Sequence, residues 1–182
     1  MHINVEFKAR CRDPEWAHSY LQRIASEYKG LDHQIDIYFN VPNGRLKLRK
    51  GNIENSLIYY QRENISGPKQ SDVTLLAVNP DSSLEEILRK SLGVKVEVHK
   101  KRHIYFADNV KFHIDEVKDL GNFIEVEALD LRGNLKRELL EIQCKTYREK
   151  LRVEDEDLIS CSYSDMLLKL EESGKLEYET TN

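Results

Sequence analysis

The sequence predicts an α+β domain built as a closed antiparallel barrel of eight strands with helices packed on the outside. Three observations carry this. First, strand-like runs alternate with period 2 between apolar and charged residues. In Asn4-Val5-Glu6-Phe7-Lys8-Ala9-Arg10-Cys11, the residues Asn4, Glu6, Lys8 and Arg10 share one face and Val5, Phe7, Ala9 and Cys11 the other. Second, the charged faces mix signs: cations recur at Arg45, Lys47 and Arg49, at Lys100 and Arg102, and at Lys111 with His113, while acids recur at Asp115, Glu125 and Glu127. Third, amphipathic helices need an apolar sheet surface to cover, and the apolar strand faces provide it. The charged faces then meet across a lumen. The alternative is a two-layer sheet with a solvated polar face. The number of charges per strand, the mixing of signs and the presence of Tyr38, Tyr60 and Phe123 on those faces favour the enclosed arrangement.

The elements follow in order. After the first strand, Asp13 is a good N-cap and Pro14 suits the first helical position. Ala17, Tyr20, Leu21, Ile24, Ala25 and Tyr28 keep helical spacing until Lys29-Gly30. Gln34 to Phe39 leads through Pro42-Asn43-Gly44 into Arg45 to Arg49, a hairpin. Ser56 to Arg62 and Asp72 to Val78 form a second pair across Ser66-Gly67-Pro68. A second helix starts at Ser82 or Ser83, with Glu85 or Glu86 completing a capping box. Strands are predicted at Val94 to Phe106, Val110 to Val117 and Asn122 to Leu129, with turns at Ala107-Asp108-Asn109 and Asp119-Leu120-Gly121. Helices are predicted over 134–150 and 163–172. Tyr163, Met166, Leu167 and Leu170 form an apolar stripe for packing on the sheet.

Composition sets the bounds. With 182 residues and 40% hydrophobic content, one core and one domain over residues 1–173 are expected, followed by a flexible tail over 174–182. A formal net charge of −4 argues against non-specific nucleic-acid binding, so any anion site is a local concentration of positive charge. Three cysteines without paired spacing argue for a reducing compartment and against a disulfide framework or a zinc site. No apolar run approaches the roughly 18 residues of a membrane span, and the first residues read as a strand and not as a signal peptide. The expectation is a cytoplasmic protein with no membrane association.

Beyond these patterns, six blocks in register resemble the CYTH superfamily of triphosphate tunnel enzymes, and within it the class IV adenylyl cyclase branch. Asn4-Val5-Glu6-Phe7-Lys8 is similar to the family's opening Glu-x-Glu-x-Lys, with Asn4 standing where the first Glu belongs. Asp36 to Phe39 with Gly44 to Arg49, and Leu57 to Arg62 with Gly67-Pro68-Lys69 and Ser71, are similar to the next two blocks. Val98-His99-Lys100-Lys101-Arg102, Lys111 to Val117, and Leu120 to Glu127 complete the series.

That resemblance implies a closed tunnel binding a small-molecule triphosphate, ATP or a polyphosphate, with Mg²⁺ or Mn²⁺. A triphosphate needs fixed cations along its length, and Arg and Lys divide the work as bidentate and point-charge partners. Lys8, Lys47, Arg49, Arg62, Lys100, Arg102 and Lys111 are the expected triphosphate contacts. Hard divalent ions prefer oxygen ligands. Glu6, Glu125 and Glu127 are the expected metal ligands, with Asp115 and Asn4 as further candidates. Glu6, Lys8 and Arg102 are the expected catalytic residues. An Asn at position 4 brings a carbonyl oxygen but no charge, so a second ion would bind weakly there. His113 shares the inward parity and reads as a hydrogen-bonded filler, whereas His99, Lys101 and His103 face solvent. The expected reaction is adenylyl cyclase-like, ATP to cyclic AMP and pyrophosphate. Triphosphate hydrolysis and non-catalytic nucleotide or polyphosphate binding are the alternatives. Barrels of this kind commonly self-associate, which admits a homodimer without specifying one.

Overall fold

The computed structural model describes residues 4–61, 72–130 and 133–174. Its elements are β1 (Asn4–Arg10), α1 (Pro14–Ile24), β2 (Glu27–Phe39), β3 (Arg45–Lys50), β4 (Ser56–Gln61), β5 (Asp72–Ala77), α2 (Leu84–Leu92), β6 (Val94–Ala107), β7 (Val110–Val117), β8 (Gly121–Leu129), α3 (Arg137–Lys150) and α4 (Tyr163–Glu172). A short 3-10 turn at Asp155–Asp157 precedes α4. The eight strands form one antiparallel sheet in the order β1-β8-β7-β6-β2-β3-β4-β5. Arg62 and the turn around Gly67 lie outside the described residues, as does the tail beyond residue 174.

The sheet curls, but among the described residues β1 and β5 do not pair, so closure is a correction to the barrel expected from sequence. The outer edge of β1 is engaged elsewhere. Ala9 forms a bridge with Leu158, and the Ile159 N–H donates to the Lys8 carbonyl at 2.8 Å. The segment leading into α4 therefore occupies the edge that a closing strand would use.

The apolar strand faces turn outward under helices as expected. Val5, Phe7 and Ala9 of β1, Phe112 and Ile114 of β7, and Ile124 and Val126 of β8 pack with Ala17 and Leu21 of α1 and Leu140 of α3. Ile37, Phe39 and Leu48 pack with Leu84 and Leu88 of α2. The last helix differs. Tyr163 and Leu167 of α4 pack with Tyr38, Tyr60, Val96, Val98 and Phe123, which share parity with the cavity-lining residues of their strands. Helix α4 thus sits on the concave face and plugs one end of the channel. Arg45 fixes its start, donating from NH1 to Ser162 Oγ at 2.8 Å and from NH2 to Asp165 Oδ2 at 2.9 Å.

Two boundaries depart from the sequence reading. Tyr28 belongs to β2 and not to α1, because β2 and β6 keep pairing to Tyr28↔Tyr105 across a register shift before Gly30. Gly30 takes φ of 118°, open to a residue without Cβ. Ser83 is the N-cap of α2 but makes no side-chain cap bond. Glu85 instead pairs with Lys50 and Arg89, and Glu86 with Lys90. Among the described residues, no helix is long and apolar enough to cross a membrane.

Candidate functional site

Period-2 alternation places Glu6, Lys8, Asp36, Lys47, Arg49, Lys100, Arg102, Lys111, His113, Glu125 and Glu127 around one cavity of about 470 Å³. All eight strands contribute to its wall, with Glu54 from the β3–β4 turn and Tyr163 from α4. Six cations and five acids line it. Cations are therefore concentrated here, nearly balanced by the acids set among them.

On the β2–β3–β6 side, the buried Asp36 carboxylate gathers three cations. Lys47 and Lys100 donate to Oδ2 at 2.8 and 2.7 Å, and Arg49 donates through Nε to Oδ1 at 2.8 Å. Burial alone would raise this carboxyl, but Arg49, Lys100 and Lys47 outweigh it and hold it well below the usual carboxylate range. Lys100 responds in the opposite sense. Burial, with Arg49, Arg102 and Lys47 adding to it against the pull of Asp36, depresses the ammonium well below an ordinary lysine.

On the β6–β7–β8 side Arg102 pairs with Asp115 through two bonds, Nε to Oδ1 at 2.7 Å and NH2 to Oδ2 at 2.6 Å. Its NH2 also reaches Glu125 Oε2 at 3.1 Å. The Tyr163 hydroxyl donates to Asp115 Oδ2 at 2.8 Å, and the Tyr163 ring lies 4.1 Å beneath the Lys8 ammonium. Glu54 spans the walls. Its Oε2 accepts from Arg49 NH1 at 2.9 Å and its Oε1 from Lys111 at 3.0 Å. Burial disfavours its charge, but Lys111 and Arg49 prevail and its carboxyl is lowered.

The acids concentrate at β1 and β8. Glu6 and Glu127 are paired in register, as are Lys8 and Glu125. Lys8 lies 3.5 Å from Glu125 Oε1. Burial opposes the Glu125 charge, but Lys8, His113 and Arg102 keep the carboxyl well below its ordinary range. Glu127 goes the other way: burial first, then Glu125 and Glu6, push it up to about 7. His113 faces both acids, its Nδ1 being 3.3 Å from Glu125 and 3.6 Å from Glu127. Burial and then Arg102 press the imidazole down to about 3, so it is neutral.

The cavity lining thus brings together Glu6, Lys8, Lys47, Arg49, Lys100, Arg102, Lys111, Glu125 and Glu127. Two candidates stand apart. Asn4 is exposed at the strand end opposite Leu129 and is not part of the lining. Asp115 is 1% exposed, and both its oxygens are engaged by Arg102 and Tyr163, which leaves it behind the wall. His99 and Lys101 are exposed as expected, whereas His103 is half-buried, with its Nδ1 2.7 Å from the Tyr28 hydroxyl.

Sequence reasoning undervalued three members of the site. Asp36 has the same inward parity as Tyr38, and that alternation was a usable signal. Tyr163 read only as part of an apolar stripe, which its ring satisfies while its hydroxyl does polar work. Glu54 lies in the irregular turn Gly51-Asn52-Ile53-Glu54-Asn55, where no period reveals direction. The turn is set by Asp32, which accepts from the Ile53 and Glu54 N–H groups at 2.9 and 3.0 Å.

Comparison with known proteins agrees with this architecture. A Methanocaldococcus jannaschii protein named "Putative adenylate cyclase MJ0240" is 25% identical over 174 residues, covering 90% of this chain and 98% of that one. The PH1012 protein of Pyrococcus horikoshii OT3 superposes with a TM-score of 0.72 at 22% identity, covering 90% of this chain and 98% of its own. The Hippeastrum protein HpAC1, for which a dominant triphosphatase activity is described, superposes with a TM-score of 0.61 at 13% identity, covering 96% and 98%. The CYTH domain model matches residues 2–163, a span that contains every strand and the whole charged channel, and the chain belongs to that family.

Proposed function

We propose that the channel binds the triphosphate of a nucleotide together with Mg²⁺ or Mn²⁺, and that the protein acts as an adenylyl cyclase-like enzyme. The observation that carries this reading is the convergence of six cations from four strands on one cavity beside a separate group of acids. A cavity of about 470 Å³ is within the range of small-molecule sites. A triphosphate carries about three to four negative charges, and its transfer chemistry is mostly positioning and charge stabilisation. Lys8, Lys47, Arg49, Lys100, Arg102 and Lys111 supply fixed donors for that, with Asp36 orienting Lys47, Arg49 and Lys100 and Asp115 orienting Arg102.

Glu6, Glu125 and Glu127 are the residues that would hold the ion. What supports the fit is the crowding of these acids, which leaves Glu127 raised to about 7 by burial, Glu125 and Glu6. A divalent ion, when bound, neutralises phosphate charge and acidifies an attacking hydroxyl. Asp115 belongs to the positioning of Arg102, and Asn4 lies too far out to join the set. Lys8 and Arg102, each next to Glu125, are the cations closest to the acids and would stabilise charge developing on the reacting phosphate. Ile53, Ile58, Val73 and Leu75 give the cavity an apolar side where a nucleoside can rest.

Hydrolysis of inorganic or organic triphosphates is the second reading. It draws on the exposure of that apolar side, where Val73 and Leu75 are 54% and 61% exposed, so the charged floor would hold a polyphosphate without help from a base. Incubation with ATP and Mg²⁺ or Mn²⁺ at mildly alkaline pH, with product separation, distinguishes the two. A Glu125→Ala, Glu127→Ala protein serves as the blank. Cyclic AMP plus pyrophosphate is the expected outcome; ADP plus phosphate establishes the triphosphatase. Unchanged ATP, with thermal stabilisation by ATP or tripolyphosphate, leaves a binding role.

A further inference from the structure

We propose a second ion site on the convex face of the sheet, away from the channel, in which His18 of α1 and His103 of β6 ligate one late first-row divalent ion through their Nε2 atoms. The site is independent of the proposed function.

Strand pairing builds its platform. Tyr28 of β2 and Tyr105 of β6 are direct partners, and their rings stack with centroids 4.6 Å apart. His103 lies two places before Tyr105 on β6 and so shares its face. Helix α1 lays His18 over the same face, and the two imidazoles meet with ring centroids 4.3 Å apart and planes at 76°.

Each imidazole is held by one nitrogen and leaves the other open. His18 Nδ1 is 3.0 Å from the Tyr105 hydroxyl, and His103 Nδ1 is 2.7 Å from the Tyr28 hydroxyl. Among the described residues, neither Nε2 makes a hydrogen bond or an ion pair. Both Nδ1 edges face the stacked tyrosine pair, so both Nε2 edges face away from it, toward the same side. A histidine that ligates through one nitrogen characteristically donates a hydrogen bond from the other, which fixes its tautomer and ring direction. With the tyrosine oxygens accepting from Nδ1–H, the lone pair of each ring is on Nε2.

The spacing suits one shared ion. An ion about 2.0–2.1 Å from two ring nitrogens, with bonds meeting at about 90–110°, holds the ring centres about 4.5–5 Å apart. The observed 4.3 Å is a small side-chain rotation from that. The electrostatics agree. Burial and then His103 lower the pKa of His18, and burial lowers that of His103 against the pull of Asp115. Both rings therefore keep the neutral form that binds metal. Imidazole nitrogen suits Ni²⁺ and Cu²⁺, whereas Mg²⁺ prefers oxygen. Such an ion would tie α1 to the strand that carries Arg102.

The test is direct binding. Ni²⁺ is titrated by calorimetry into the purified chain at mildly alkaline pH. Expected is a site that disappears in both His18→Gln and His103→Gln and persists in His99→Gln. The Glu125→Ala, Glu127→Ala protein, without the channel acids, should keep it. Tyr28→Phe, at a residue 49% exposed, should weaken it about tenfold by leaving the His103 ring free to turn. Ni²⁺ should raise the thermal midpoint of the native chain more than that of either histidine variant. Should a histidine variant fail to fold, Tyr28→Phe decides in its place, and an affinity equal to the native one overturns the inference. Absence of Ni²⁺ binding, binding unchanged by either histidine substitution, or binding lost with the channel acids overturns it as well.

Discussion

Arg102 and Asp115 face each other directly across β6 and β7, and the guanidinium grips the carboxylate through two bonds of 2.7 and 2.6 Å. This pair sets the direction of the remaining guanidinium edge, which points at Glu125. The pair is buried, so its two members are not separable in energy. Asp115→Asn leaves the Arg102 charge undercompensated and should cost about 3–5 kcal/mol of folding stability, measured by denaturant unfolding. In protein that still folds, tripolyphosphate affinity should fall, because Arg102 is no longer held in place. An unchanged unfolding midpoint would mean that Arg102 finds another partner, Glu125 being the nearest.

Asp36 plays the same part on the β2–β3 side of β6, and its effect depends on pH. Its carboxyl is held well below its ordinary 3.8 by Arg49, Lys100 and Lys47 despite burial. Between those values the unfolded chain binds more protons than the folded one, so stability rises with pH there. The contribution is complete above the unfolded pKa and disappears as pH falls through the folded one. Asp36→Asn should therefore cost about 3–5 kcal/mol near neutral pH. The gap from the native chain should narrow on acidification below pH 3.8. Denaturant midpoints at several pH values for both proteins check this; a constant gap would show that Asp36 does not titrate in that window.

Alternation made the walls legible. A strand residue's direction follows from parity, and parity turns Glu6, Lys8, Lys47, Arg49, Lys100, Arg102, Lys111, Glu125 and Glu127 to the channel, although Arg10, Arg45 and Asp115 on the same faces are not part of its lining. It has nothing to say about the channel's ends. Closure depends on whether β1 finds β5, and that edge is taken by residues 158 and 159, whose sequence carries no strand pattern. The placement of α4 was equally hidden. A stripe of Tyr163, Met166, Leu167 and Leu170 fits either sheet face, and only the Tyr163 hydroxyl, useless on the apolar side, favours the concave one.

Tyr163 separates two roles that one substitution can distinguish. Tyr163→Phe removes the hydroxyl donated to Asp115 at 2.8 Å and keeps the ring under Lys8 and against Phe123. Loss of a hydrogen bond to a buried charged group should cost about 1.5–3 kcal/mol. Triphosphate affinity should change little, since Lys8 keeps its ring platform. Tyr163→Ala should lower both stability and affinity. Equal affinity losses in the two variants would assign the binding effect to the hydroxyl instead.

Glu54 is the more exposed of the acids that an incoming triphosphate must compete with, and its two oxygens already satisfy Arg49 and Lys111. Its side chain is 26% exposed, so its ion pairs are partly screened and displaceable. Glu54→Gln keeps the shape and removes the competing charge. Calorimetric titration with tripolyphosphate should give a dissociation constant about fivefold lower, the scale of one screened ion pair. Gly51 offers an independent route to the same end. A Cβ at that position would clash with the carboxylate of Asp32, whose bonds to the Ile53 and Glu54 N–H groups hold the turn. Gly51→Ala should therefore cost about 1–3 kcal/mol through overpacking and release Glu54 from its place. Tighter tripolyphosphate binding in both variants is expected if Glu54 competes for the cations. Weaker binding in Glu54→Gln would mean instead that Glu54 presents Arg49 and Lys111 to the substrate.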